Sequence, residues 1–288
     1  MVGSGLAFAF MGAFVKLAGD IPTFQKVFFR NSVSMIVALV MIRKIGFKNI
    51  PLFGHKGNRG MLILRSIMGV SGVGLNFWAI NHLFLTDSTM LNKISPFFVT
   101  IFAWLFLREK MSKLQIPATI IVFLGALLII KPEFSMDVLP ALAGFGGAAA
   151  AGAAYTIIRF LKGKEEPATI IFFFSLFSVV STFPIMMIQG FVPPTAAQWF
   201  YLIMIGVSAS FGQFGVTTAY KYAPAAEVSI YNYTSVIFAT LIGYFILDKE
   251  IPDIWTIIGS VIIVGVAVLI FIYNHKRAKR NTLKEERR

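Results

Sequence analysis

The chain has 288 residues, 57% of them hydrophobic and only 14% charged, with a mean hydropathy of +0.78. Soluble domains hold about 45–50% apolar and about 25% charged residues, so this composition excludes a soluble catalytic domain and describes an integral membrane protein. The net charge of +13 would suggest a nucleic-acid partner in a soluble chain, but here the placement of the basic residues assigns it to membrane topology, with no nucleic acid implied. With no cysteine there are no disulfides, thiolate metal sites or iron–sulfur clusters. The three histidines, His55, His82 and His275, are scattered, so neither a metal nor another cofactor is expected.

Uncharged runs of about 20 residues predict transmembrane helices. The first, Gly3 to Ala18, begins beside Met1 with no flanking Lys or Arg; it reads as a shortened start, not as a cleavable signal peptide, whose positive region it lacks. Thr23 to Ile42 carries Arg30 well inside. Met61 to Leu83 has a small-plus-amide face of Gly69, Gly72 and Asn76, with Phe77 and Trp78 beside it. Thr86 to Leu107 opens on Asp87 and holds Asn92 and Lys93. Leu114 to Ile130 and Val138 to Ile158 follow, the Ala/Gly run from Ala141 to Ala154 reading as a packing face. The uncharged stretch from Pro167 to Tyr220 divides at Pro193 and Pro194 into Ala168 to Gln189 and Gln198 to Tyr220. Ser175, Ser178 and Thr182 share one helical face of the former; Gly206, Ser210, Gln213, Thr217 and Tyr220 share one face of the latter. Ala226 to Leu247 and Ile254 to Tyr273 complete ten predicted spans.

An even number of crossings places both termini on one side, and loops rich in Lys and Arg are retained in the cytoplasm. The tail with Lys276, Arg277, Lys279, Arg280, Lys284, Arg287 and Arg288 fixes that side. The loops holding Arg43 to Arg59, Arg108 to Lys113 and Lys162 to Lys164 then fall on it too. The opposite loops hold Asp20, Asp87, Glu133, Asp137, Asp248, Glu250 and Asp253. The expectation is a multi-pass protein of the plasma or inner membrane with both termini cytoplasmic.

Sliding the chain by 140 positions aligns the fourth predicted helix with the ninth: Asp87 meets Glu227, Asn92 meets Asn232, Ser95 meets Ser235, Thr100 meets Thr240 and Leu107 meets Leu247. Five crossings per copy is odd, so the second copy enters the membrane from the opposite side. The predicted fold is therefore all-α, ten transmembrane helices as two inverted five-helix repeats, residues 1–131 and 132–273, with a basic tail at 274–288. Inverted repeats are the architecture of secondary transporters that work by alternating access.

The segments TDSTMLNKISPFFVTIFAWLFLREKMS, from Thr86, and AAEVSIYNYTSVIFATLIGYFILDKEIPDIWTIIG, from Ala225, resemble the two repeats of the EamA family in the drug/metabolite transporter superfamily. An acidic or small polar residue opens the helix, a Ser or Pro stands within it, and an acidic residue, Glu109 or Glu250, closes it. The resemblance implies ten helices around a central cavity and transport of amino acids, nucleotide-like metabolites, vitamins or drugs. Lys93 departs from the neutral residue of many relatives.

Polar side chains in hydrocarbon face the bundle interior or water. Lys93 and Arg30 lie about 10 Å into their helices, too deep for easy snorkelling, and give a cavity with a positive outer half suited to a carboxylate or phosphate. The amides of Asn76, Asn92, Gln213 and Asn232 are candidate linings, and Trp78, Tyr231 and Tyr233 offer flat faces to a substrate. Lys16, Arg65 and Arg159 read as snorkelling or paired, with Asp20 the partner of Lys16. No Asp or Glu stands mid-span, so facilitated diffusion or exchange is expected. The reading is a monomeric exporter of small organic metabolites, amino-acid-like or another amphipathic anion or zwitterion. The alternative is an intramembrane enzyme or lipid-handling protein; an enzyme would need a catalytic cluster, and no H-E-x-x-H, Walker or G-x-G-x-x-G motif is present.

Overall fold

The computed structural model describes residues 1–46, 51–108, 114–130, 138–161, 163–222, 234–247 and 252–285. These residues are helical and contain no strand, as hydrocarbon requires of a backbone that cannot bond to water. The helices are α1 (Val2–Leu17), α2 (Thr23–Ile45), α3 (Arg59–His82), α4 (Leu85–Asn92), α5 (Ser95–Leu107) and α6 (Gln115–Ile130). They continue with α7 (Val138–Leu161), α8 (Pro167–Gln189), α9 (Ala196–Tyr222), α10 (Thr234–Ile246) and α11 (Ile254–Glu285). Among the described residues seven helical segments are long and apolar enough to cross a membrane, and three shorter apolar helices accompany them. The bundle's exterior carries large apolar side chains, Ile188, Phe211 and Phe245 each more than 70% exposed, as a lipid-facing surface should. The protein is a multi-pass membrane protein.

Helices of the first part of the chain pack on helices of the second: α3 on α7, α2 on α8, α1 on α9 and α10, α6 on α11, α5 on α7, and α4 on α10. The tightest of these crossings uses small residues. A Cβ added at Gly72 would stand 3.1 Å from the Ala151 nitrogen, and one at Gly147 would stand 3.2 Å from the Gly72 oxygen, so the Ala/Gly run of α7 is the packing face expected of it.

The predicted span Thr86 to Leu107 is two helices, broken at Lys93 and Ile94. Pro96 has no N–H to give the Asn92 carbonyl, and the turn tightens: Lys93 N donates to Met90 O and Ile94 N to Leu91 O. Lys93 is therefore the residue after the C-terminus of α4, where a cation suits the helix dipole.

Polar contacts tie the two parts of the chain at both ends of the bundle. At the end where α1 leads into α2, the first face, Gln25 donates from Nε2 to Val192 O at 2.8 Å and accepts from Val192 N at 3.1 Å, while Gln198 Nε2 donates to Ala18 O. Beside them Lys26, fully buried, donates from Nζ to Val15 O, Gly19 O and Asn81 Oδ1 at 2.8–2.9 Å. Gly19 adopts φ +59°, which turns its carbonyl into this cage. Lys26 also lies in electrostatic range of Asp20, and Lys16 of Asp87.

At the other end, the second face, Thr169 Oγ1 donates to Pro51 O, and Oε1 of Glu165 accepts from His55 N and Asn58 Nδ2, both at 2.8 Å, with the His55 ring nitrogen Nδ1 at 3.1 Å. Burial by itself would raise the Glu165 pKa. The hydrogen bonds from Asn58 and His55, with the charge of His55, outweigh it and hold the carboxyl below its ordinary range.

Candidate functional site

One polar cavity lies where α2, α3, α8 and α9 meet, with about 340 Å³ of free space including its mouth. Arg30 and Ser34, one helical turn apart, enter from α2, and Arg65 enters from α3. Phe174 and Ser175 face it from α8; Ser210 and Gln213 face it from α9. Close approach of the walls depends on glycine at two places. A Cβ at Gly206 would fall 2.5 Å from the Val33 Cβ, and one at Gly69 would fall 2.8 Å from the Phe174 ring.

Arg30 and Arg65 are buried, 7% and 6% exposed. Arg30 Nη1 donates to Asn31 Oδ1 at 3.0 Å, and Asn31 is itself anchored by donating to Val27 O. Arg65 lies flat on Phe174, its guanidinium carbon 3.9 Å from the ring centroid, a cation–π contact that fixes its plane. The groups acting on these guanidiniums electrostatically are Tyr155 of α7 and, for Arg65, Arg30 itself; no carboxylate among the described residues does so. Arg30 Nε, Arg65 Nε and Nη1, and Ser175 Oγ have no hydrogen-bond partner among the described residues. Ser210 donates to Gly206 O, which leaves Ser34 as donor in the 3.2 Å Ser34–Ser210 contact across α2 and α9. Donors and charges left without partners among the described residues are costly in a closed interior.

Of the residues singled out from sequence, the fold brings Arg30, Ser175, Ser210 and Gln213 to this cavity. Asn92 Nδ2 donates to Asn76 Oδ1 at 3.2 Å, joining α4 to α3, and Trp78 packs its ring on His82. Lys93 stands at the helix break and is not among the cavity residues. Tyr231, Asn232, Tyr233 and Glu227 lie outside the described residues. Thr182 bonds back to Ser178 O within its own helix. Arg65 overturns its sequence reading: it does not snorkel, because Phe174 covers it. The signal was available. Arg65, Gly69, Gly72 and Asn76 recur at spacings of four, three and four, so the face recognised from Gly69 onward extends to the arginine.

The profile described as the EamA-like transporter family matches residues 1–131 and again 138–272. The chain is 32% identical to the pseudopaline exporter CntI of Pseudomonas aeruginosa over 267 residues, covering 91% of this chain and 90% of that one. It is 28% identical to human solute carrier family 35 member G1, over 91% of this chain and 75% of the relative. Against the riboflavin transporter of Vibrio cholerae it is 25% identical over 97% and 94% of the two chains. A solved crystal structure superposes with a TM-score of 0.68 over 96% of each chain at 13% identity, a likeness of fold alone.

Proposed function

This chain belongs to the EamA-like transporter family and carries small solutes across a membrane, and from that premise we propose that its solute is an organic anion held between Arg30 and Arg65 during alternating access. The observation that carries the reading is the pair of buried guanidiniums with orphaned N–H donors facing one cavity. Arginine is suited to this task because its donors match carboxylate and phosphate oxygens and it stays charged when buried. Gln213 and the hydroxyls of Ser34, Ser175 and Ser210 orient the rest of the solute.

The two matched halves are inverted repeats in this reading, and the helix pairing supports it. Exchanging the halves turns α3 on α7 into α9 on α1 and α5 on α7 into α10 on α1, while α2 on α8 and α6 on α11 map onto themselves. The end contacts correspond too: Gln25 to Val192 O on the first face matches Thr169 to Pro51 O on the second, each made by the third residue of its helix. Alternating access is then the opening of one set of end contacts while the other holds. The second face, carrying the basic loops, is cytoplasmic, with both termini on that side. Net flux is outward, as the name of the pseudopaline exporter says of that relative. A single chain encloses the path, so the unit of transport is a monomer.

Counterflow of labelled organic acids in proteoliposomes tests this. The chain should exchange an unmodified organic anion, and Arg30→Gln should slow the exchange at least about tenfold, as loss of one charge-assisted contact requires. Exchange indifferent to both Arg30→Gln and Arg65→Gln, or a chemically altered solute, refutes it.

A further inference from the structure

The two guanidiniums set a charge count that the solute has to meet. Arg30 approaches from about 10 Å inside the first face and Arg65 from about 9 Å inside the second, so both charges reach the cavity near mid-depth, far from either aqueous phase. Of the groups without partners among the described residues there, Arg30 Nε and Arg65 Nε and Nη1 can only donate, and the Ser175 hydroxyl can donate as well. They call for acceptors and for negative charge. A positive group on the solute would meet two guanidiniums, and of the two aromatic rings lining the cavity, Phe174 and Phe214, the former is already covered by Arg65. A monoanion would neutralise one guanidinium and leave the other uncompensated once the cavity closes, which a low-dielectric interior penalises heavily.

We infer that the transported solute is a small organic dianion, a dicarboxylate or an organic phosphate, with its two negative charges shared between Arg30 and Arg65. This rests on the transport reading above and narrows it, replacing the amino-acid-like zwitterion suggested by sequence. Arg65 acts here as a specificity-determining residue: it contributes the second charge and also withdraws Phe174 from cationic solutes.

The test uses the full chain in proteoliposomes at pH 7.5 and a series of probes of similar size: succinate as dianion, succinamate as monoanion, succinamide as neutral analogue and asparagine as zwitterion. Glycerol phosphate serves as a dianion of the phosphate class. Succinate or glycerol phosphate should compete in counterflow at least about tenfold more strongly than succinamate, with succinamide and asparagine weaker still. Which of the two dianions competes better distinguishes carboxylate from phosphate. A phosphate monoester loses its second charge near pH 6, so competition by glycerol phosphate should fall severalfold between pH 7.5 and pH 5. Arg30→Gln and Arg65→Gln should each shrink the preference for dianion over monoanion about tenfold, whatever flux remains. If succinamate or asparagine competes as well as both dianions, or neither dianion competes, the inference is overturned. Should those probes still depend on the arginines, organic-anion transport stands without it; indifference of all flux to both variants removes the two together. The wild-type series decides the matter even where a variant fails to fold.

Discussion

Replacing Glu165 by Gln weakens the contacts that hold the second face closed while leaving their geometry almost unchanged. One carboxylate oxygen accepts from His55 N and Asn58 Nδ2, with the His55 ring beside it, and the side chain is buried. Bonds to a charged acceptor contribute about 1.5–3 kcal/mol each against about 1 kcal/mol for a neutral one, so the charge lost over two such bonds is worth about 1–4 kcal/mol. At about 1.36 kcal/mol per decade that corresponds to a shift of about 5- to 900-fold toward the state open at this face. The absence of cysteine from the sequence makes the measurement direct. Ser175→Cys puts a single thiol in the cavity, and its reaction with a membrane-impermeant maleimide reports which face is open. In the Glu165→Gln background, labelling from the second face should accelerate at least about fivefold and at most about 900-fold, and labelling from the first face should not. The pH dependence has a definite sign. Because the folded carboxyl titrates below its ordinary value, its stabilisation is complete above the unfolded pKa of about 4.3 and is lost only as pH falls through the folded value. Because maleimide reacts with the thiolate, the readout is the ratio of the two labelling rates at one pH: the rate with Glu165 in place, divided by that of Glu165→Gln, should stay low from pH 8 to about 5 and climb toward one in stronger acid. Equal labelling rates in the two backgrounds at pH 7 would refute the idea that this clasp closes the second face.

Gly206→Val should destabilise the protein by about 1–3 kcal/mol, because the added atoms meet the stiff β-branched Val33 where α2 and α9 close the cavity. Thermal unfolding in detergent should show this loss, and Val33→Ala in the same chain should restore most of it. Lys26→Met preserves the length of the side chain but strands Val15 O, Gly19 O and Asn81 Oδ1, for an expected loss of about 2–4 kcal/mol. Lys26→Arg should not rescue it, since a planar fork cannot point at three acceptors gathered round one ammonium; a fully stable Lys26→Met protein would show that the cage contributes nothing.

Hydropathy and charge alone fixed that this chain lives in a membrane, crosses it many times and repeats itself, because hydrocarbon imposes span length and polarity on any sequence that enters it. Arg30 was legible for the same reason: its depth in an apolar run strains any snorkelling account. Gln213 was legible from the polar face it shares with Ser210. What tertiary structure alone decided is which polar faces meet. Arg65 stands near a helix end, and a helix taken singly lets it reach the interface; only the close crossing at Gly69, which lays Phe174 over it, turns it inward. The break at Lys93 and Ile94 was likewise invisible to a count along one continuous rod, although Pro96 was there to interrupt the ladder. Lys26 gains its cage only because the turn at Gly19 folds two carbonyls over it. Distance along a helix is local and can be counted in the sequence, whereas burial of a charge depends on partners many tens of residues away.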